Sequence, residues 1–366
     1  MSVTLAIACG GTGGHIYPGI TLGEHLQAKG YSVVFTGSNL RMEKDIIPQA
    51  GFTFMGVPVR PFQKKNPFGS ALNWWQCTQQ AKSFLRQHQV KALVGMGSYI
   101  TVPAILAARQ LKIPIFLVET NRVPGKANQW LGRLADWVAL TYADTARAFP
   151  KTDTFVSGSP VRPEFGQVSR QVGAETFGLN PDFPVFSIIG GSQGAQLFNQ
   201  VISSALPALL AIENLQIVHV CGASNFAEAK ANTPSSAGQD RYHLLEYVEN
   251  MPALLASTDL ALSRAGASTI AELMVCEVPS ILVPGRFGGG HQRDNAEAVA
   301  AAGAGIMLDE QDLSPSRLTQ CVKDVILNTE KHQHMRENSK KLNTRDAAEY
   351  IVHRIVESIK EKEAVC

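Results

Sequence analysis

The sequence predicts an α/β protein made of two doubly wound parallel-sheet domains. Three observations carry this expectation. The chain has 366 residues, beyond the size at which one hydrophobic core keeps growing. Short apolar, β-branched runs alternate with helical stretches along most of it. Two glycine-rich turns, Gly10 to Gly14 and Gly190 to Gly194, each follow such a run and open a helix.

In the first half the runs are Val3 to Cys9, Ser32 to Thr36, Ala92 to Gly95, Ile115 to Val118 and Trp137 to Leu140. In the second they are Val185 to Ile189, Gln216 to Val220, Leu260 to Ser263, Ser280 to Val283 and Gly305 to Leu308. Strands apolar on both faces, separated by helices, belong in parallel sheets covered on both sides. The turn-rich connector Ser157 to Pro163 marks the boundary, giving a first domain of residues 1–158 and a second of 159–339. The last segment, 340–366, carries Tyr350, Ile351, Ile355 and Ile359 near helical spacing and is expected to pack back on the first domain.

Composition is that of an ordinary globular chain, 45% hydrophobic and 17% charged. A net charge of +2 gives no field pointing to nucleic acid. The six cysteines are scattered and lack a Cys-x-x-Cys pair, as expected of reduced thiols in a cytoplasmic protein. The apolar start runs into glycines without a basic leader and reads as a strand, not a signal peptide. The uncharged stretch Ala92 to Ala108 is broken by Gly95, Gly97 and Pro103 and is too short to span a bilayer.

Parallel sheets bind ligands beyond the carboxyl ends of their strands, where both glycine turns fall. Glycine lets backbone approach a phosphate, and the helix behind it offers unpaired N–H groups and positive partial charge. Gly-x4-Gly-Lys-Ser/Thr is missing at both turns, Gly11-Thr12-Gly13-Gly14-His15-Ile16 lacks the third dinucleotide glycine, and Phe35-Thr36-Gly37 has no acid for a ribose. An ATP P-loop and a dehydrogenase are thereby disfavoured.

His15 follows the first turn, where a neutral imidazole takes a proton from an attacking hydroxyl; the plainer alternative is a helix-start histidine bonded to a backbone carbonyl. In Ser263 to Glu272 another strand meets a helix. There Ala267, Ser268 and Thr269 suit a diphosphate and Glu272 a ribose, unless Ser/Thr and Glu form only a capping box. Pro284 to Ala296 ends in Gln292 and Asn295, which suit sugar hydroxyls. No Asp-x-Asp pair or metal-spaced cluster occurs, so neither metal nor cofactor is expected. Phe62 to Trp75 gathers Lys64 and Lys65 with four aromatics, a pattern for an anionic membrane surface or, for either tryptophan alone, a core position.

Taken in order, Gly10-Gly11-Thr12-Gly13-Gly14-His15, Gly158-Ser159-Pro160-Val161-Arg162, Gly190-Gly191-Ser192-Gln193-Gly194-Ala195 and Ser263-Arg264-Ala265-Gly266-Ala267-Ser268-Thr269 resemble the MurG family. These are the N-acetylglucosaminyltransferases that complete lipid II in peptidoglycan synthesis. The resemblance spans nearly the whole chain. It implies a GT-B fold, two Rossmann-like domains facing a cleft, with UDP-GlcNAc held mainly by the second and lipid I by the first. It implies an inverting transfer by an enzyme peripheral to the cytoplasmic face of the bacterial membrane, attached through Phe62 to Trp75.

Carried over by motif, Thr12, Gly13 and Gly14 line the cleft and His15 is the candidate base. Asn121, Arg162, Ser192, Glu272 and Gln292 contact the donor, Val248 lies near uracil, and Ala267, Ser268, Thr269 and Asn295 complete the donor set. Gly11, Gly97, Ser98, Tyr99 and Glu119 fall on the acceptor side. Two departures lie there: Val118-Glu119-Thr120-Asn121 stands where the family usually reads His-Glu-Gln-Asn, and Gly97-Ser98-Tyr99 where it reads Gly-Gly-Tyr. Two rivals follow, a GT-B transferase for another lipid acceptor and a catalytically silent GT-B binding module.

Overall fold

The computed structural model describes residues 2–190, 195–233, 239–285, 290–342 and 346–365. It divides into two compact units, Met1–Arg162 with Thr344–Cys366, and Pro163–Asn343.

The first unit carries strands β1 (Thr4–Ala8), β2 (Ser32–Ser38), β3 (Thr53–Val57), β4 (Ala92–Gly95), β5 (Ile115–Glu119), β6 (Trp137–Leu140) and β7 (Asp153–Val156). Its helices are α1 (Gly13–Ala28), α2 (Glu43–Gln49), α3 (Pro67–Gln87), α4 (Val102–Leu111) and α5 (Lys126–Leu131). The strands pair in parallel in the order β3-β2-β1-β4-β5-β6-β7. Alternate side chains feed two cores, as a sheet covered on both faces requires. Leu5, Ile7, Phe35, Val94, Phe116 and Val118 face α1, while Ala6, Val34, Leu93, Leu117 and Val138 face α3 and α4.

The second unit carries β8 (Val185–Ile189), β9 (Gln216–Val220), β10 (Tyr242–Leu245), β11 (Leu260–Ser263), β12 (Ser280–Leu282) and β13 (Gly305–Met307). Its helices are α6 (Arg170–Phe177), α7 (Gln196–Leu210), α8 (Phe226–Ala231), α9 (Met251–Ser257), α10 (Ala267–Val275), α11 (His291–Ala301), α12 (Pro315–Ile326) and α13 (Thr329–Lys341). The sheet order is β10-β9-β8-β11-β12-β13, again all parallel. Helix α14 (Ala347–Val365) then rejoins the first unit, placing Ala348, Ile351, Val352, Ile355 and Ile359 in the core beside α1. Trp137 Nε1 donates to Ser358 Oγ at 3.0 Å and fixes its rotation.

In each sheet the strand order reverses once, between β1 and β4 and between β8 and β11. Neighbouring strands there send their chains to opposite sides, which opens a crevice at their carboxyl ends. The loops that leave β1 and β4, and those that leave β8 and β11, contain the glycine-rich turns and most of the candidate residues.

Candidate active site

In the first unit the turn after β1 enters α1 through Thr12, whose extended backbone (φ −145°, ψ 158°) makes it the N-cap. Its side chain does not cap the helix; Oγ1 lies 3.1 Å from His15 Nδ1 instead. His25, further along α1, shows the plain alternative, its Nδ1 lying 2.8 Å from the Thr21 carbonyl. A base role for His15 fixes its tautomer: the ring must carry its proton on Nδ1, donated to Thr12 Oγ1, leaving Nε2 to accept.

Gly97, in the loop after β4, lies against that imidazole. A Cβ built there would stand 3.3 Å from His15 Cδ2 and Nε2 and 3.0 Å from Asn128 Nδ2, and φ is +97°. Only glycine meets both conditions without strain. Ser98 follows, with its Oγ 3.2 Å from where a Gly11 Cβ would be. The reversal between β1 and β4 thus brings Thr12, His15, Gly97 and Ser98 together with Gly11, while Tyr99 packs into a small core with Trp74, Cys77 and Ile100. Arg162 lies over the Tyr17 ring at 5.6 Å, beside the start of α1.

Two expectations for this unit change. The first turn was expected to offer its N–H groups to a phosphate. Gly11 N–H, however, donates to Glu43 Oε2 at 3.1 Å, so it is committed to a buried carboxylate. Glu119 was expected on the acceptor side, yet it is 2% exposed with both oxygens occupied. Oε1 accepts from Asn121 N (2.9 Å) and Nδ2 (3.0 Å), and Oε2 accepts from Asn128 Nδ2 (2.9 Å) and Gly125 N (3.2 Å). Burial pushes its carboxyl above the usual range against the pull of those four donors. Glu119 therefore shapes the Asn121 loop from below. Of the two departures beside it, Val118 is a fully buried core side chain and Thr120 is 2% exposed.

Glu43 and Asn128 were not singled out from the sequence. An acid at a helix start and an asparagine in a polar segment look like solvated residues, and only the sheet order carries them behind the first turn.

In the second unit α10 starts at Ala267, with Gly266 as its N-cap and no side chain capping it. The capping-box alternative fails here, since neither Ser268 nor Thr269 occupies the cap. Ser268 Oγ is buried with no hydrogen-bond partner among the described residues. An unpaired hydroxyl beside the free N–H groups of a helix start suits an anionic or hydroxylated ligand. Glu272 is half-buried further along the same helix.

At the start of α11, Gln292 Oε1 accepts from Gly285 N at 2.8 Å, and the fully buried Asn295 donates from Nδ2 to Ala265 O at 3.4 Å. These bonds tie the loops after β11 and β12 together. Arg264 joins them, ion-paired to Glu310 at 2.7 Å and stacked over Phe198 at 4.9 Å. Val248 is buried between β10 and α9 and takes no part in this network among the described residues. Ser192, and the turn residues 191–194 and 286–289, lie outside the described residues. No metal-holding cluster of three His, Cys, Asp or Glu side chains occurs among the described residues.

The Phe62 to Trp75 region divides between half-buried and exposed side chains. Trp74 is half-buried, its Nε1 donating to Arg60 O at 2.8 Å and its ring edge-on to Phe62 at 5.8 Å. Phe68, Leu72 and Trp75, at i, i+4 and i+7 on α3, are exposed by 88%, 55% and 60%. Lys64 and Lys65 are exposed just before them. No described helix is long and apolar enough to cross a membrane.

Residues 5–140 match the glycosyltransferase family 28 N-terminal domain and residues 185–351 its C-terminal domain. A UDP-N-acetylglucosamine--N-acetylmuramyl-(pentapeptide) pyrophosphoryl-undecaprenol N-acetylglucosamine transferase of Desulforamulus reducens is 34% identical over 357 residues, 94% of this chain and 96% of the relative. One of the same name from Synechocystis is 33% identical over 95% of this chain and 96% of its own. Among solved structures, Acinetobacter baumannii MurG superposes with a TM-score of 0.79 at 25% identity, covering 98% of this chain and all of that one. The calicheamicin glycosyltransferase CalG4, at 15% identity and TM-score 0.72 over both full chains, shares the fold. Two parallel α/β units with glycosyltransferase neighbours make this a GT-B fold, and the chain belongs to the MurG family of N-acetylglucosaminyltransferases.

Proposed function

We propose that the chain transfers N-acetylglucosamine from UDP-N-acetylglucosamine to the 4-hydroxyl of the N-acetylmuramyl sugar in undecaprenyl-pyrophosphoryl-MurNAc-pentapeptide (lipid I), giving lipid II. The observation that carries this reading is similarity over 94% of the chain to a relative named for that transfer. The arrangement at His15 supports it, because a histidine held through Nδ1 by Thr12 presents Nε2 as a base.

On this reading His15 removes the proton of the attacking hydroxyl. The new bond forms at the anomeric carbon as its bond to the diphosphate breaks, which inverts that centre. The leaving diphosphate is stabilised by the N–H groups at the start of α10 with Ser268 and Thr269, while Glu272 accepts the ribose hydroxyls. Gln292 reads the sugar, Asn295 holds the loop after β11 beneath it, and Asn121, Arg162, Ser192 and Val248 complete the donor contacts. Phe68, Leu72 and Trp75 enter the membrane interface with Lys64 and Lys65 on anionic headgroups.

The kinetic test separates the two roles. His15→Ala is expected to keep UDP-N-acetylglucosamine binding and lose most turnover, whereas Glu272→Ala weakens donor use about tenfold or more, the loss of a charge-assisted bond. Normal turnover in the first variant removes His15 as base; unchanged donor kinetics in the second removes Glu272 from the ribose.

A further inference from the structure

Glu43 opens α2 and is completely buried. A buried carboxylate is stable only where hydrogen bonds replace water. Here Oε2 accepts from Gly11 N–H and Oε1 from Ser38 N–H, each at 3.1 Å. The backbone is fitted around it: a Cβ on Gly10 would overlap Oε1, and one on Gly37 would lie 3.1 Å from Cγ. The chain leaving β1, the end of β2 and the start of α2 therefore converge on one charged group. Burial first, and Glu43's negative charge second, push the neighbouring Cys9 thiol far above its usual range.

The contact leads directly to the candidate base. Gly11 precedes Thr12, the N-cap of α1, and Thr12 Oγ1 meets His15 Nδ1 at 3.1 Å. On the other side the imidazole meets Gly97. The direction of Nε2 is thus set by a turn whose backbone is anchored from behind by Glu43.

We propose that Glu43 is the positioning residue of the first turn: its carboxylate holds Gly11, and through Thr12 the His15 imidazole, in the orientation the transfer step needs. This rests on His15 as the base. Gly11 N–H is thereby committed to Glu43 and is not offered to a ligand.

The test is a double-mutant cycle on the full chain, with UDP-N-acetylglucosamine and a lipid I analogue. In Glu43→Gln an amide N–H2 faces one backbone N–H, so one of the two bonds is lost. Because small misplacements near the chemistry cost up to about 10²-fold, kcat is expected to fall about tenfold or more. KM for the donor and Kd for UDP stay within about twofold, a split that general loosening of the fold would not give. In a His15→Ala background the same substitution changes the residual kcat by less than about twofold, since the group it positions is gone.

A full tenfold loss repeated in that background overturns the proposal and leaves His15 standing as base. So does an unchanged kcat in Glu43→Gln, or a donor KM that rises with the kcat loss. Full turnover in His15→Ala alone overturns both readings. Should Glu43→Gln fail to fold, Glu43→Asp, which keeps the charge one methylene short, goes through the same cycle with the same expectations.

Discussion

At Ser98 the backbone takes φ 72° and ψ 153°, a conformation populated almost only by glycine. Its carbonyl accepts from Thr101 N at 3.2 Å and Thr101 Oγ1 at 3.0 Å, bonds that hold the strained turn in place. Ser98→Gly is therefore expected to stabilise the chain by about 1 to 3 kcal/mol, the usual size of such strain, in a denaturant melt. An unchanged midpoint would show that the serine carries no strain. Gly97→Ala acts in the opposite direction. Its methyl meets Asn128 Nδ2 at 3.0 Å and the His15 ring at 3.3 Å, so turnover is expected to fall while UDP binding persists. His15 stood out in the sequence because it follows a glycine-rich turn at a strand end, and Gly97 only through the family resemblance. Glu43 was not, since nothing in a local stretch tells a buried acid from a solvated one.

Ten of the strands were legible as apolar runs, and the three that were not share a position. β3 and β7 are the two edges of the first sheet, and β10 is one edge of the second. Edge strands are covered less completely, so Thr53–Val57, Asp153–Val156 and Tyr242–Leu245 carry exposed or half-buried residues and lack the apolar run. Helix α3 poses the converse case, an apolar stripe that the fold leaves outside. Replacing Phe68 and Trp75 together by serine is expected to weaken partition to anionic phospholipid vesicles at least tenfold, from about 1.5 to 3 kcal/mol per apolar side chain, without altering turnover of a water-soluble acceptor. Equal partition by the variant would place attachment elsewhere.

A buried network joins β9, β10 and α7, where His219 meets Tyr242 Oη at 2.8 Å and Asn199 Oδ1 at 2.9 Å. Asn199 Oδ1 only accepts, so His219 Nε2 carries the proton and Nδ1 accepts from the phenol. Burial lowers the imidazole to about 4 from its ordinary 6.5. The unfolded chain therefore binds a proton that the folded one refuses between those values. Stability is unaffected above about pH 6.5 and falls as pH drops toward 4, by up to about 3 kcal/mol. Melts of His219→Gln across that window should show a shallower fall than the parent; parallel curves would assign the acid sensitivity to other groups.

At the scale of the molecule, both units solve the same problem with one plan: a parallel sheet reverses its strand order and gathers ligand-handling loops at the reversal. That plan was legible from two glycine turns and alternating runs, and so was the return of the last helix. Its spacing placed Ile351, Ile355 and Ile359 inward, and they are buried. Tyr350, grouped with them in the sequence, is 45% exposed, because it lies one position off the inward stripe. The division of labour between units came from the family resemblance, which gives the donor mainly to the second unit and the acceptor to the first, and not from the glycine turns themselves. Matched glycine turns suggested matched phosphate sites, whereas a carboxylate stands behind the first and an unpaired serine hydroxyl lies beside the α10 start in the second unit. In the proposed reaction the first unit activates the acceptor and the second stabilises the leaving diphosphate.

The proposed transfer is checked by release of UDP from UDP-N-acetylglucosamine, measured with lipid I, with a diacylglycerol and with no acceptor. UDP and lipid II are expected in equal amounts with lipid I, and neither product with the other two. No UDP with lipid I, or UDP formed with the diacylglycerol in its place, would contradict it.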